Sequence, residues 1–216
     1  MQTAARFIVL DGVEGCGKST QLARLAAYLR EAGHDPVLTH EPGGTPIGEA
    51  IRALLLSPDH PEMDPLTEAF LFCASRAQHV RQVIAPALAA GRVVLCDRFD
   101  ASTFAYQGHA GGVGVDVVGR VNAEATGGLE PDLTVVLDVD PAEGMRRKFG
   151  KDPSGRDAAS ANGADRIERN ALAFHQRVRE GFLLYAERHA DRCAVVNADR
   201  PPDEVFAEIA GLVLGR

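Results

Sequence analysis

The sequence predicts an α/β fold of three layers, a five-stranded parallel sheet flanked by helices, and two patterns carry that expectation. Five short apolar runs rich in β-branched residues recur along the chain: "RFIVLD", "PVLTH", "RVVLCD", "LTVVLD" and "CAVVN". Four of them are nearly continuous in apolar character, as strands buried on both faces of a parallel sheet are. Between them lie stretches with helical periodicity, and strand–helix alternation over the whole length selects one α/β domain with right-handed crossovers. At 216 residues the chain supplies a substantial core for a single domain, 1–216, without requiring a second.

Each helical stretch follows from its own pattern. "KSTQLARLAAYLREAG" places Leu22, Leu25, Ala26 and Leu29 on one stripe and stops at Gly33. "IGEAIRALLL", "DPLTEAFLFCASRAQHVRQVIAPALAAG", "VDVVGRVNAEATGG", "DRIERNALAFHQRVREGFLLYAERH" and "PPDEVFAEIAGLVLG" supply the rest. Pro86 is expected to kink its helix or mark its last turn. Residues 148–165, "KFGKDPSGRDAASANGAD", have no hydrophobic period and read as a mobile surface loop between two helices.

Bulk properties exclude several classes. A net charge of −7 argues against general nucleic-acid binding, which needs clustered cations to neutralise phosphates, so any anion site must be local. No run approaches the roughly 20 apolar residues of a membrane span. The opening "MQTAARFIVLDG" has no signal-peptide core, and Cys16, Cys73, Cys96 and Cys193 form no CxxC pair. Reduced thiols and a cytoplasmic location are expected, with Cys73, Cys96 and Cys193 as small core residues.

The stretch "LDGVEGCGKST" carries the chemistry. Gly12, Val13, Glu14, Gly15, Cys16, Gly17, Lys18 and Ser19 match GxxxxGK[ST], after an expected strand and at the start of an expected helix. Such glycines turn backbone N–H groups toward phosphate oxygens at the positive end of the helix dipole. Lys18 would reach the β- and γ-phosphates of a nucleoside triphosphate, Thr20 would follow on the same turn, and Ser19 would offer a hydroxyl to Mg²⁺. Cys16 is expected to point away from phosphate. The NKxD guanine reader of regulatory GTPases is absent. The third apolar run ends in Asp97 and Arg98, at the sheet edge where ligands of open α/β sheets bind. Asp97 could hold Mg²⁺ through water, and Arg98 a second phosphate. The loop contains Glu14 and no arginine, so the positive charge for phosphoryl transfer must come from elsewhere.

Further stretches join these in a recognisable order: "FIVLDGVEGCGKSTQ", "EPGGT", "FLFCASRAQ", "DRF" followed by "ASTFAYQG", "PDLTVVLDVDP" and "DRIE". On them the chain resembles bacterial thymidylate kinase from end to end. The resemblance implies the P-loop nucleoside monophosphate kinase fold with a mobile lid, about 146–166, and transfer of phosphate from ATP to dTMP with Mg²⁺. It implies that Glu14 contacts the 3′-hydroxyl of dTMP, Phe72 stacks on thymine and Arg76 bonds its carbonyl edge. Arg98 and Arg52 would hold the dTMP phosphate, with Ser102, Thr103 and Gln107 at the base and Tyr106 crowding the 2′ position. A lid would supply the missing cation from Arg146, Arg147, Lys148, Lys151, Arg156 and Arg166. Arg147 aligns beside the nucleotide, and Arg156 is the expected catalytic arginine. The family is typically homodimeric. Alternatives are a kinase for another pyrimidine deoxynucleotide, or a P-loop ATP-binding switch signalling through 148–165.

Overall fold

A computed structural model describes residues 6–150, 165–168 and 170–215. All five apolar runs are strands: β1 (Phe7–Asp11), β2 (Val37–His40), β3 (Val94–Asp97), β4 (Leu133–Asp138) and β5 (Cys193–Asn197). They form one parallel sheet in the order β2-β3-β1-β4-β5. β1 is buried throughout, and β3 and β4 everywhere but their last residue. β5 departs from its continuous apolar character. It pairs with β4 alone and has an open outer flank, so Val195 is 42% exposed.

The helices are α1 (Lys18–Glu31), α2 (Pro46–Leu56), α3 (Pro65–His79), α4 (Ala85–Ala89), α5 (Asp100–Thr103), α6 (Val115–Thr126), α7 (Pro141–Phe149), α8 (Leu172–Arg188) and α9 (Pro202–Leu214). β1 shows how they sandwich the sheet. Ile8 and Leu10 join one apolar cluster with the α1 stripe and Phe182 of α8, whereas Phe7 and Val9 join a second with Val80 and Ile84. Each such buried side chain contributes about 1.5–3 kcal/mol relative to exposure.

Of two expectations at element ends, one holds and one shifts. Pro86 falls in the first turn of α4, after a π-helical turn, Val80–Ile84, in which Ala85 N donates to Val80 O. A first-turn proline needs no donor, so the helical path passes through it and ends within a turn, at Ala89, which makes Pro86 part of the expected last turn. The helix expected from "DRIERNALAF" begins only at Leu172. Asp165 Oδ1 accepts from Ile167 N and Glu168 N, both at 2.9 Å, and fixes a separate turn ahead of it. No helix of the described residues is long and apolar enough to cross a membrane.

The chain starts in the middle of the sheet, runs out to β2 and returns through β3 before crossing to β4. The C-terminal ends of β1, β2 and β3 therefore deliver the phosphate loop, Glu41 and Arg98 to one edge beside that reversal.

Candidate active site

The phosphate loop joins β1 to α1 through backbone that side chains would obstruct. Gly12, Gly15 and Gly17 have φ of 136°, 67° and 96°. A Cβ on Gly15 would lie 1.9 Å from Gly144 O, and one on Gly144 would lie 2.1 Å from Glu14 O. The loop is thus pressed against α7, whose last residues begin the lid segment, with no side chain between them. No side chain caps α1, so its first N–H groups remain directed at the loop. Lys18 Nζ donates to Val13 O at 2.9 Å and Gly12 O at 3.2 Å. Ser19 Oγ donates to Asp97 Oδ2 at 2.9 Å, which joins the two expected Mg²⁺ ligands. Hard oxygens suit that ion, which takes few protein ligands and completes its shell with phosphate and water.

Asp11 ends β1 fully buried and ties the loop to the turn after β3. Its Oδ1 accepts from Ser102 Oγ at 2.7 Å and Gly12 N at 3.0 Å, and its Oδ2 from Ser102 N at 3.0 Å. Burial pushes its carboxyl above the usual range, opposed by Arg98. That turn places Arg98 at φ 71°, outside the ordinary region for a residue with a side chain. Its guanidinium folds back toward the loop, donating to Gly12 O at 3.0 Å and Ser102 Oγ at 3.1 Å and pairing with Glu14. It also lies 5.3 Å from the Tyr106 ring centroid.

Glu14 is bracketed by cations, since Lys148 Nζ donates to its Oε2 at 2.8 Å. Burial alone would raise its carboxyl, but Arg98, Lys18 and Lys148 together hold it well below the carboxylate range. Lys148 also pairs with Glu168, so this residue of the lid segment bridges two carboxylates at the loop. That answers how an acid is tolerated there, and one of the three cations involved, Lys148, is a lysine for which the sequence suggested no individual role.

A cavity of about 480 Å³ opens in front of these groups, within the range of small-molecule sites. Glu14, Gly15, Gly17, Lys18, Ser19 and Thr20 line its donor side, and Arg52, Phe72, Arg76, Arg98, Ser102, Tyr106 and Gln107 its other wall. Gly12, Val13 and Cys16 do not line it. Cys16 Sγ lies 3.5 Å from Lys18 Nζ and is buried in the core. Thr103 also does not line it, because its hydroxyl is 3.0 Å from Arg76 Nη1. Arg52 Nη1 donates to Pro42 O at 2.9 Å. Burial raises the Tyr106 phenol above its ordinary value against the pull of Arg98, and its hydroxyl has no partner among the described residues. Arg147 crosses to the β5–α9 loop through Ala198 O at 2.9 Å and Asp199 Oδ1 at 2.6 Å, and lines the cavity. Arg156 and Lys151 lie outside the described residues.

Arg76 is 1% exposed and heavily committed. Nε donates to Glu41 Oε2 at 2.8 Å, Nη1 to Thr103 and to Asn122 Oδ1 at 2.8 Å, and Nη2 to Phe99 O at 2.8 Å. Glu41 Oε1 lies 2.9 Å from His79 Nδ1, whose other nitrogen is 2.6 Å from Thr39 Oγ1. Asp11, Glu41, Asn122 and Glu168 were not singled out from sequence. Asp11 and Glu41 did have a local signal, an acid at or just beyond the C-terminal end of a strand.

The thymidylate kinase family model matches residues 10–209. A thymidylate kinase of Deinococcus radiodurans is 49% identical over 210 residues, 97% of this chain and 97% of that protein. One of Geobacter sulfurreducens is 47% identical, again over 97% of each chain. The solved structure of the thymidylate kinase of Ehrlichia chaffeensis superposes with a TM-score of 0.75 at 31% identity, covering 95% of this chain and 97% of that one. Alike in sequence and in fold over nearly its whole length, the chain belongs to the thymidylate kinase family.

Proposed function

We propose that this protein is an ATP:dTMP phosphotransferase, moving the γ-phosphoryl of ATP to dTMP to give dTDP and ADP in deoxynucleotide synthesis. The observation that carries the reading is Arg98. One guanidinium reaches the phosphate loop at Gly12 O and Glu14 and the opposite wall at Ser102 and Tyr106, so donor and acceptor phosphates would share a cation.

The acceptor is a phosphate monoester whose second pKa is about 6, so at neutral pH its attacking oxygen is already ionised and no general base is needed. Catalysis is then alignment of two anions plus neutralisation of charge. Lys18 and the α1 N-terminus hold the donor phosphates, Arg98 and Arg52 the acceptor phosphate, and Phe72 the base. Mg²⁺, held through Ser19 and Asp97, would neutralise the β- and γ-phosphates. Glu14 would accept from the sugar 3′-hydroxyl, and its cationic neighbours keep that acceptor ionised. A lid arginine, Arg156 or Arg147, would complete the site and exclude water.

ADP release with Mg²⁺-ATP and a panel of dTMP, dUMP, dCMP, AMP and thymidine tests this directly. Turnover greatest with dTMP is expected. Turnover indifferent to every acceptor would replace the reading with an ATP-dependent switch. A homodimer belongs to the same proposal, supported by exposed apolar side chains on α2 and α3, where Ile47, Leu66 and Phe70 are 55%, 40% and 51% exposed. Sedimentation tests it. A cytoplasmic location fits four cysteines of which none is in a disulfide.

A further inference from the structure

Gln107 lines the cavity at 2% exposure, and its amide is not free to turn over. Nε2 donates to Glu68 Oε1 at 2.6 Å. An ionised carboxylate accepts hydrogen bonds and donates none, so the carbonyl end of the amide cannot take that place. The carboxylate is itself anchored. Its Oε2 pairs with Arg166, whose Nε donates to Leu55 O at 2.9 Å and whose backbone N donates to Leu56 O at 3.2 Å. Glu68 on α3 therefore holds the –NH2 of Gln107, and Oε1 is left as an acceptor to which no described residue donates.

We propose that Glu68, fixed by Arg166, sets the hydrogen-bond polarity of Gln107 and through it selects a pyrimidine with a ring N–H over one without. This rests on the dTMP kinase reading above. Thymine and uracil carry a proton on N3, which a fixed carbonyl oxygen accepts. Cytosine presents an N3 lone pair there, acceptor against acceptor. A glutamine free to rotate would serve either base, because its two ends are nearly isosteric and opposite in polarity. The carboxylate behind it removes that freedom. Glu68 touches Gln107 and not the base, so it is a positioning residue.

Glu68→Gln tests the idea, because a second amide accepts or donates and lets Gln107 present either end. With a good hydrogen bond to the base lost or inverted, the dTMP KM is expected to rise about tenfold and the ratio of dCMP to dTMP kcat/KM about tenfold or more. The dUMP KM should rise with that of dTMP, and the ATP KM should not move. A structural defect alone would lower kcat or the melting temperature for all acceptors alike. Gln107→Met removes the amide, and in that background Glu68→Gln should leave the dCMP:dTMP ratio where Gln107→Met put it. An unchanged ratio in Glu68→Gln, or an equal change in both backgrounds, overturns the inference. Wild-type protein that forms no dTDP overturns the kinase reading and this inference with it, and the two failures are told apart by that first assay.

Discussion

The donor loop and the acceptor wall meet at Arg98 and are built in opposite ways. The loop is contiguous and made of backbone: glycines at positive φ, an uncapped helix N-terminus, and a contact at Gly15 and Gly144 where a single methyl would collide. The wall is assembled from side chains on separate elements, with Glu41, Arg76, His79, Thr103 and Asn122 in one network and Glu68, Gln107 and Arg166 in another. A backbone site offers the same donors to any triphosphate. A wall of polar side chains, each fixing the next, can tell one base from another, and it fails when one member is removed. The difference matches the tasks, since the donor's phosphates are generic and the acceptor is chosen.

Four substitutions sharpen or break this comparison. The largest effect should come from Glu41→Ala, which leaves the buried Arg76 guanidinium without its carboxylate; loss of one partner from such a pair costs about 3–5 kcal/mol. Urea unfolding should show it, and an unchanged midpoint would mean that the wall is not a connected network. Next is Gly144→Ala. The new methyl must push α7 and the phosphate loop apart, an overpacking cost of about 1–3 kcal/mol. The ATP KM should rise and the melting temperature fall, and a neutral outcome would deny that the loop depends on bare backbone.

Phe72→Ala reads the wall through the substrate. Base–aromatic stacking is worth about 1–3 kcal/mol, so the dTMP KM should rise roughly tenfold or more, and the ATP KM should stay nearly constant. Equal shifts in both would remove the stacking role. Smallest is the test of the lid cation. Arg156→Ala should lower kcat at least about tenfold, a threshold set well under the roughly 10³–10⁵ that an arginine finger can supply, with ATP binding little changed. If kcat survives, the same measurement on Lys148→Ala and Arg147→Ala identifies which cation acts, because Lys148 already stands 2.8 Å from Glu14.

Much of the fold was legible because burial in a parallel sheet is written in short continuous runs, and all five predicted strands formed. β5 misled only in depth, since an apolar run does not say whether its strand is central or at an edge. The proline in the third helical stretch was read as a kink or a last turn and does lie in that last turn, but the π-helical turn ahead of it has no sequence signature. In the site, Lys18, Ser19, Asp97 and Arg98 converge because each lies at the end of a strand or the start of a helix that the topology carries to one edge. Thr103 was read as a base contact and faces Arg76 instead, since one residue of helical rotation separates the cavity from the framework behind it.

By itself the sequence determined what is local: the turn of the phosphate loop, the strands that end there, and the class of reaction a glycine-lined lysine can serve. Those properties depend on a few consecutive residues and their allowed dihedral angles. Tertiary structure decided which groups face one another across long stretches of chain, such as Glu41 with Arg76, Lys148 with Glu14, Gly144 with Glu14, and Glu68 between Gln107 and Arg166. The reason is physical. Whether a buried charge is a partner, a ligand or a strut depends on where other elements place the complementary group, and that placement follows from packing the whole sheet and its helices together.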